Sequence, residues 1–159
     1  MDRLQKAIEE LEPCVIRKVF TSNLPSLQQI EWWIEKDFSR WSRFENPDQI
    51  WSPVAYQHFH VLKQLEPLFK DYDQHDHQIY GGLTDNATAK GPHKDPMNVL
   101  VTQVYGITPW RVFPKSEKLI EKSILSTDLH PGDCLVLPLG YWHAAYPTEK
   151  RISFSTGWT

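Results

Sequence analysis

The stretch Pro131-Gly-Asp-Cys-Leu-Val-Leu-Pro-Leu-Gly-Tyr-Trp-His143 decides the fold of this chain. Its Pro-Gly-Asp opening is typical of a tight turn, and the apolar run Cys134–Leu137 that follows is long enough for a buried strand. A second turn at Leu139-Gly140 precedes a histidine that is set among aromatic side chains. The stretch therefore predicts a short buried strand between two turns, with His143 just beyond the second turn.

Segments of similar length fill most of the second half of the chain, and Pro and Gly separate them. The predicted strands are Gln78–Tyr80, Val99–Tyr105, Trp110–Phe113, Ser123–Leu125, Cys134–Leu137, Trp142–Tyr146 and Arg151–Ser155. Many short strands with turn signals between them are typical of an all-β sandwich or barrel. A double-stranded β-helix, which is a jelly roll of two facing sheets, fits this number of strands.

The first half of the chain is mainly helical in pattern. Apolar residues at helical spacing predict helices over Met1–Leu11, Leu27–Phe38 and Pro53–Phe69, and a strand is predicted over Val15–Phe20. Helices followed by grouped strands indicate an α+β fold that is mainly β, in which a cupin-like double-stranded β-helix carries N-terminal helices packed on its sheet. We expect a single domain over residues 1–159, with an N-terminal helical part at 1–75 and the β-helix core at 76–159.

Composition excludes several classes of protein. With 17 Lys and Arg against 20 Asp and Glu, the formal charge of −3 predicts no broad surface for nucleic acid, although a local basic groove is compatible with it. Cys14 and Cys134 lie far apart in apolar surroundings, so neither a disulfide framework nor a cysteine metal site is indicated. No apolar run approaches the ~20 residues of a membrane span, and the charged N-terminus lacks a signal-peptide core, so we expect a cytoplasmic protein.

The sequence His93-Lys-Asp95 is the sharpest chemical feature. On an extended strand, residues i and i+2 point the same way, so the imidazole and the carboxylate face one space. Two histidines and one carboxylate on one face of the ion are the ligands of non-haem Fe(II) oxygenases. A His-x-Asp pair alone is weak evidence, because such pairs also lie on solvated loops, and a third ligand must come from elsewhere.

Several motifs, taken in order, resemble those of cupins and JmjC-type oxygenases. They are Tyr80-Gly-Gly82, Gly91-Pro-His-Lys-Asp-Pro-Met-Asn98, Gln103-Val-Tyr-Gly106, Arg111-Val-Phe-Pro114 and the stretch 131–143. The resemblance covers about half of the chain, from Gln78 to Trp158. It implies that His93, Asp95 and His143 bind Fe(II) and that 2-oxoglutarate is the cosubstrate.

The chain departs from this family at the expected anion site. Typical JmjC members use a Lys after the Gly hairpin for the cosubstrate, and that place is Thr108 here; a usual Thr three residues before the first histidine is Lys90. Arg151-Ile-Ser153 supplies an alternative, because a guanidinium on an inward strand face would be buried and would need a carboxylate partner. A surface Arg151 is the competing interpretation.

Three further residues complete the candidate set. Lys90 and Arg111 are reserves for the anion site, should Arg151 lie at the surface. Asn98 matches a family Asn near the iron and could donate to the 1-carboxylate of 2-oxoglutarate. An Asn at a strand edge that bonds the backbone is an equally good interpretation of Asn98.

Two other histidine pairs were weighed as zinc ligands, His58-Phe-His60 and His75-Asp-His77. On a helix, residues i and i+2 diverge by about 200°, so His58 and His60 would not chelate one ion. The second pair lies in an acidic polar stretch, and we predict a solvated loop there.

Taken together, the residues and the resemblance predict a non-haem Fe(II)/2-oxoglutarate-dependent oxygenase. Hydroxylation is favoured over demethylation, and the substrate could be a protein side chain, a nucleic-acid base or a small molecule. The alternative is a cupin that binds a metal or ligand without 2-oxoglutarate oxygenase activity, which the missing Lys favours. A third alternative is a cupin isomerase, or a dioxygenase that does not use 2-oxoglutarate.

Overall fold

The computed structural model describes residues 1–36, 42–43, 49–53, 59–72, 75–83, 85, 89–116 and 122–159. Within these ranges the helices are α1 (Asp2–Glu10), α2 (Leu27–Lys36) and α3 (His60–Phe69). The strands are β1 (Cys14–Ile16), β2 (Ser42–Arg43), β3 (Gln49–Pro53), β4 (His75–Gly82), β5 (Asn98–Tyr105), β6 (Thr108–Phe113), β7 (Leu125–Leu129), β8 (Cys134–Leu137), β9 (Trp142–Ala145) and β10 (Arg151–Trp158). None of the helices in the described ranges is long and apolar enough to cross a membrane.

The strands form two sheets, and all of their pairings are antiparallel. The large sheet has the order β1-β8-β5-β10-β4-β3-β2, and the small sheet has the order β7-β6-β9. The sheets face each other across one apolar cluster, whose buried members are Val99, Val101, Trp110, Val112, Leu129, Leu135 and Leu137. This arrangement confirms the prediction of a mainly β, jelly-roll fold.

The three helices cover the opposite face of the large sheet. Side chains from the helices, such as Ile8 and Leu62, share a second buried cluster with Leu100, Ile152 and Phe154 of the sheet. Side chains alternate between the two faces of a strand, so the neighbours of these sheet residues point into the space between the sheets. The prediction that the N-terminal helices pack on the sheet is therefore confirmed.

Aromatic rings reinforce this contact between helices and sheet. Phe59, just before α3, packs on Phe154 with ring centroids 5.1 Å apart, and Phe69 at the end of α3 packs on Trp158 at 5.2 Å. Each such pair is worth about 0.5–1.5 kcal/mol beyond the area that it buries. Both ends of α3 are thus held against β10, the strand that carries Arg151 on its other face.

The third helix was predicted to begin too early. It begins at His60 rather than Pro53, because residues 49–53 form β3 and pair with β4, with Trp51 opposite Tyr80. Phe59 precedes the helix with an extended backbone, φ −133° and ψ 138°. The pairing of β3 with a strand more than twenty residues away overrides the local helical pattern, and such pairing is not visible in local spacing.

One predicted loop and one predicted strand also differ from the structure. The segment His75–His77 is not a solvated loop, since it begins β4, and His77 is buried with its Nδ1 3.0 Å from Thr156 Oγ1. The strand predicted at Ser123–Leu125 lies later, at Leu125–Leu129. There its alternating burial matches its pairing with β6, in which Leu129 is opposite Thr108.

The Pro-Gly-Asp turn ties the N-terminal segment to the β-helix. Gly132 has φ +91°, and a Cβ there would lie 2.0 Å from the carbonyl oxygen of Phe20. The buried carboxylate of Asp133 accepts hydrogen bonds from Arg17 Nη1 at 2.6 Å and from the backbone N–H of Lys18 and His130 at 2.9 and 3.0 Å. Burial opposes ionisation, but these bonds hold the pKa of Asp133 below its ordinary value.

Candidate active site

A cavity of about 330 Å³ lies between the two sheets. Val99, Val101 and Leu137 from the large sheet and Trp110 from the small sheet form its apolar walls, all of them buried. Polar side chains converge on the same space from β4, β10, β9 and the segment before β5. Apolar walls with a few convergent polar groups are the usual composition of a ligand-binding site.

His93, Asp95 and His143 come together at one side of this cavity. Nε2 of His143 lies 3.1 Å from Oδ2 of Asp95, and Nε2 of His93 lies 3.7 Å from Oδ1. The three ligand atoms all lie within 4.8 Å of one another, and the two imidazole rings are 4.4 Å apart at 63°. Within the described ranges, this is the one group of three or more such side chains that could hold a metal ion.

The backbone and the ring hydrogen bonds orient both imidazoles. His93 and His143 pair as an isolated antiparallel bridge next to the edge of β9. The Nδ1 of His93 lies 2.8 Å from the carbonyl oxygen of Gly91, and that of His143 lies 3.2 Å from the carbonyl of Tyr141. A carbonyl can only accept, so each Nδ1 carries a proton, and each Nε2 faces the Asp95 carboxylate.

The charge states of the apo site suit a divalent metal. Burial lowers the pKa of His93, against the hydrogen bond to Gly91, so this imidazole is neutral at neutral pH. Burial opposes ionisation of Asp95, but the hydrogen bond from His143 and the nearby histidines lower the pKa of Asp95 below its ordinary value. Neutral imidazole and ionised carboxylate are the forms that bind metals.

Arg151 and Ser153 line the same cavity from β10, whereas Ile152 and Phe154 pack under the helices. Arg151 is only 6% exposed, its Nη1 lies 3.5 Å from Ser153 Oγ, and its Nε has no hydrogen-bond partner. No described carboxylate lies within 4.0 Å of its guanidinium. Burial lowers the pKa of Arg151 to about 10, although Tyr80 opposes this.

A buried cation with no carboxylate partner is costly, and Arg151 has none within 4.0 Å in the described ranges, so its surroundings would suit an anion. At pH 7 the Arg151 guanidinium is still protonated, because a pKa of about 10 lies well above that pH. Its planar group of donors matches a carboxylate, and the Ser153 hydroxyl, which accepts from Arg151 Nη1, has its own O–H to donate on the same strand face.

Polar residues on β4 line the cavity as well, and none of them was among the predicted site residues. The hydroxyl of Tyr80 donates to Gln78 Oε1 at 2.6 Å. Burial raises the pKa of Tyr80, the charge of Asp95 adds to this, and Arg151 opposes it. Gln78 and Tyr80 are two residues apart on a strand, and this spacing was the signal that could have identified them as one face.

Of the three remaining candidates, Lys90, Arg111 and Asn98, only Lys90 lines the cavity. Lys90 lines the cavity at its exposed side, close enough to influence the charges of His93 and Asp95. Arg111 lies instead on the outer side of the small sheet, over the Tyr146 ring at 5.0 Å, so its side chain is not a reserve for an anion in the cavity.

Asn98 is also placed away from the cavity. Its Oδ1 accepts a hydrogen bond of 2.8 Å from the backbone N–H of Leu139, and it is not among the lining residues. On β5 it belongs to the face opposite Val99 and Val101. The expectation that Asn98 contacts a cosubstrate is therefore corrected, and the alternative of a strand-edge Asn that bonds the backbone describes it.

The position where the resemblance expects a Lys has a structural role here. Thr108 is buried, and its hydroxyl accepts a hydrogen bond of 3.0 Å from Gln103 Nε2. The same amide donates to the carbonyls of Tyr105 and Gly106, so it organises the turn between β5 and β6. The cation in the cavity comes from β10 instead.

The other histidine pairs give no metal site among the described residues. His60 begins α3, is exposed and has its Nε2 2.8 Å from Gln64 Nε2. His77 lies on the helix-covered face of β4, away from the cavity. His58 lies outside the described residues.

The model of the JmjC domain family matches residues 54–159. The chain belongs to the JmjC domain family. Its similarity to JmjC-type oxygenases, inferred from the motifs, is thereby confirmed. Among curated proteins, this JmjC domain is 32% identical over 79 residues to the ribosomal protein uL16 3-hydroxylase of Escherichia coli (strain K12). This alignment covers 42% of this chain and 21% of that protein.

Solved structures show the same fold. YcfD, a ribosomal oxygenase from Escherichia coli, superposes with a TM-score of 0.74 and 19% identity in its complex with cobalt and succinic acid, and with 0.73 and 19% in its complex with cobalt and 2-oxoglutarate. Both alignments cover 98% of this chain and 51% of YcfD. Cocosin, a coconut allergen, superposes with a TM-score of 0.52 and 12% identity over 76% of this chain and 28% of cocosin. The chain spans about half the length of YcfD and a smaller part of the curated relative.

Proposed function

We propose that this JmjC domain is a non-haem Fe(II)/2-oxoglutarate-dependent hydroxylase. The observation that carries the proposal is that two imidazoles, a carboxylate and the buried Arg151 guanidinium share one cavity. A metal site alone would fit many cupins. A buried cation beside such a site, with no carboxylate partner in the ranges that the structure describes, fits a cosubstrate that has one carboxylate for the metal side and another for the cation.

The donor set fits iron. His93, Asp95 and His143 would hold it through two Nε2 atoms and one carboxylate oxygen, which is the ligand set of Fe(II) oxygenases. When bound, iron and 2-oxoglutarate supply the oxidising chemistry: one oxygen atom of O2 enters the substrate, and the other enters succinate as CO2 leaves. The two YcfD complexes, with cobalt and 2-oxoglutarate or succinic acid, support this assignment.

The residues of this chain bind and orient the cosubstrate. Arg151 pairs with the distal carboxylate of 2-oxoglutarate, and the hydroxyl of Ser153 donates to the same group. The apolar walls at Val99 and Leu137 keep water away from the pair, which strengthens it. Lys90, at the exposed side of the cavity, adds positive potential near the anion.

The substrate is a protein side chain, and we infer a ribosomal protein. This inference rests on the curated relative, a ribosomal protein uL16 hydroxylase, and on the ribosomal oxygenase structures. A ribosomal substrate also supports a cytoplasmic location. We further infer that residues 1–75 and 76–159 form one domain, since β1 pairs with β8 and β3 pairs with β4 across that boundary.

Anaerobic titration of the apo protein with Fe(II) and then 2-oxoglutarate tests the cofactor assignment. A weak visible charge-transfer band that appears only with both additions is expected. Iron binding without this band, and without conversion of 2-oxoglutarate to succinate in air, would favour the alternative of a metal-binding cupin. The presence of Thr108 where typical JmjC members have a Lys supports that alternative. Mass spectrometry of ribosomal proteins after incubation with the loaded enzyme tests the substrate, with one added oxygen atom as the expected result.

A further inference from the structure

Cations and aromatic rings alternate on the side of the small sheet that faces away from the cavity. His143 and Ala145 of β9 line the cavity, so Trp142 and Ala144 point outward, and Arg111 of β6 lies opposite Ala144. We refer to six residues on this side and at its edge as the cation–aromatic surface: Lys94, Arg111, Lys115, Tyr141, Trp142 and Tyr146. Of these, Tyr141 also packs against the apolar cluster between the sheets.

Each cation of this surface lies over a different ring. Lys94 Nζ is 5.0 Å from the centroid of Trp142, and Lys115 Nζ is 4.8 Å from that of Tyr141. Arg111 lies over the Tyr146 ring, as described above. Cation–π contacts at exposed sites are worth about 0.5–1 kcal/mol each, enough to restrict long side chains that would otherwise sample many rotamers.

The cations of the surface are not neutralised by described carboxylates. All three cations are exposed, and none has a described carboxylate within 4.0 Å. Lys94 Nζ donates instead to the backbone carbonyl of Lys115 at 3.0 Å, which brings the two lysines together. Two acidic residues border the surface without pairing with these cations. Glu12 lies beside the Tyr141 hydroxyl, and Asp128 of β7 lies opposite Pro109 of β6.

The surface is directly connected to the candidate metal site through the backbone. Lys94 lies between His93 and Asp95 in the sequence, and Trp142 immediately precedes His143. A partner held on this surface would therefore lie at the rim of the cavity. The exposed Leu139, 50% accessible, and Tyr146, 38% accessible, extend the surface with apolar area.

We propose that the cation–aromatic surface binds single-stranded RNA. Closely placed cations that have no carboxylate partner in the described part of the chain match a row of phosphates, and adjacent rings match the flat bases. An acidic peptide would use the cations but not the rings. The net charge of −3 means that this is local recognition rather than a property of the whole protein. The inference rests on the proposed function, because RNA bound here would hold the enzyme on a ribosomal substrate.

Fluorescence anisotropy with a labelled oligouridine of about 12 nucleotides, within the length that such surfaces cover, tests the proposal. The test variant is Lys94→Gln/Lys115→Gln. The matched control is Lys63→Gln/Lys70→Gln, which removes the same charge from exposed positions of α3 and the residue after it, on the other side of the large sheet. A third variant, Lys94→Arg/Lys115→Arg, keeps both charges.

Wild type, control and the arginine variant are expected to bind the RNA, while the test variant binds at least about tenfold more weakly. Log K falls as log salt rises, and each phosphate contact with single-stranded nucleic acid contributes about −0.7 to this slope. The loss of two contacts should therefore make the slope shallower by about 1.4. Equal weakening in the test and control variants would overturn the proposal, as would the absence of RNA binding or displacement of the RNA by an acidic peptide at equal charge concentration.

The measurement needs neither iron nor 2-oxoglutarate, so its failure is distinct from failure of the proposed function. RNA binding without the charge-transfer band would support the RNA-binding surface and refute the oxygenase function. The band without RNA binding would support the oxygenase function and refute the RNA-binding surface. Thermal unfolding of each variant shows whether a loss of binding comes from a loss of fold, and the arginine variant would then decide the question.

Discussion

His93 and His143 exchange both of their backbone hydrogen bonds, with N to O distances of 3.1 Å from His93 and 2.9 Å from His143. Fifty positions separate them in the sequence, yet this one pair places their rings side by side. The two imidazoles are therefore positioned by main-chain bonds, which do not need the side chains, so we expect the bonds to persist when the side chains are changed. It follows that metal binding can be removed without removing the fold.

His93→Ala and Asp95→Ala are each expected to abolish binding of Fe(II), because two ligands cannot replace the three that converge here. Without metal, each variant should unfold within about 1 kcal/mol of the apo wild type, the usual range for changes outside the core. Wild type should gain about 2.7 kcal/mol when metal is present at one hundred times its Kd, and the variants should gain nothing.

Calorimetric metal titration and urea unfolding check this prediction, with His60→Ala as a control at an exposed histidine far from the site. Unfolding of the metal-free wild type under these conditions would contradict it, since the metal would then be part of the structural core.

Arg151→Ala should leave iron binding intact and weaken binding of 2-oxoglutarate to the Fe(II) protein. Loss of one partner of a desolvated charge pair typically costs about 2–5 kcal/mol. Isothermal titration of 2-oxoglutarate measures the effect. Arg111→Ala is the control, because that side chain lies outside the cavity. Equal affinity in wild type and Arg151→Ala would move the anion site elsewhere, with Lys90 the next residue to test.

Asp133→Asn is expected to destabilise the protein by about 1–3 kcal/mol at neutral pH, because it replaces a buried acceptor that binds three donors. The pKa of Asp133 is lower in the folded protein than its ordinary value of 3.8. Its contribution is thus complete above 3.8 and is lost as the pH falls through the lower folded value.

The difference in unfolding free energy between wild type and Asp133→Asn should therefore be constant from pH 7 to 5 and shrink below 3.8. Urea unfolding across this range measures it. Groups titrating elsewhere in the protein affect both proteins equally and cancel. A difference that grows with acidity would show that the ion pair with Arg17 is not the source of the effect.

Gly132→Ala should destabilise the fold by at least about 1–3 kcal/mol, the usual cost of a strained backbone conformation. At φ +91° the new Cβ would meet the carbonyl of Phe20, so the turn or the N-terminal segment must move. Gly91→Ala is the matched control, because nothing lies within 4 Å of its added Cβ. Chemical unfolding of both variants should separate them clearly; equal stability would mean that the turn relaxes without cost.

Much of the fold was predictable because it depends on local pattern. The turn and apolar run at 131–137 form β8 as predicted, and α1 follows its apolar spacing. The start of α3 was misplaced because β3 is fixed by its pairing with β4. Long-range pairing of this kind depends on the rest of the sheet, and a window of neighbouring residues does not contain it.

The part of the candidate site that depends on residue type and spacing was predictable from the sequence. His93, Asp95 and His143 were identified from spacing and motif, and the structure brings them together. The sequence left two interpretations of Asn98 open, because its partner, the N–H of Leu139, is 41 residues away. The direction of Arg151 was open because β10 is buried on both faces, so alternation of polar and apolar residues cannot say which side is the cavity.

The two faces of β10 contact different parts of the protein. Ile152 and Phe154 pack under the helices, whereas Ser153 and Ser155 line the cavity. Substitutions in the second set can retune which anion or substrate is accepted while the first set holds the scaffold unchanged. Laboratory evolution of selectivity should thus begin at Ser153 and Ser155, because both line the cavity, whereas a Cβ at Gly157 would lie 2.1 Å from Met97 Sδ.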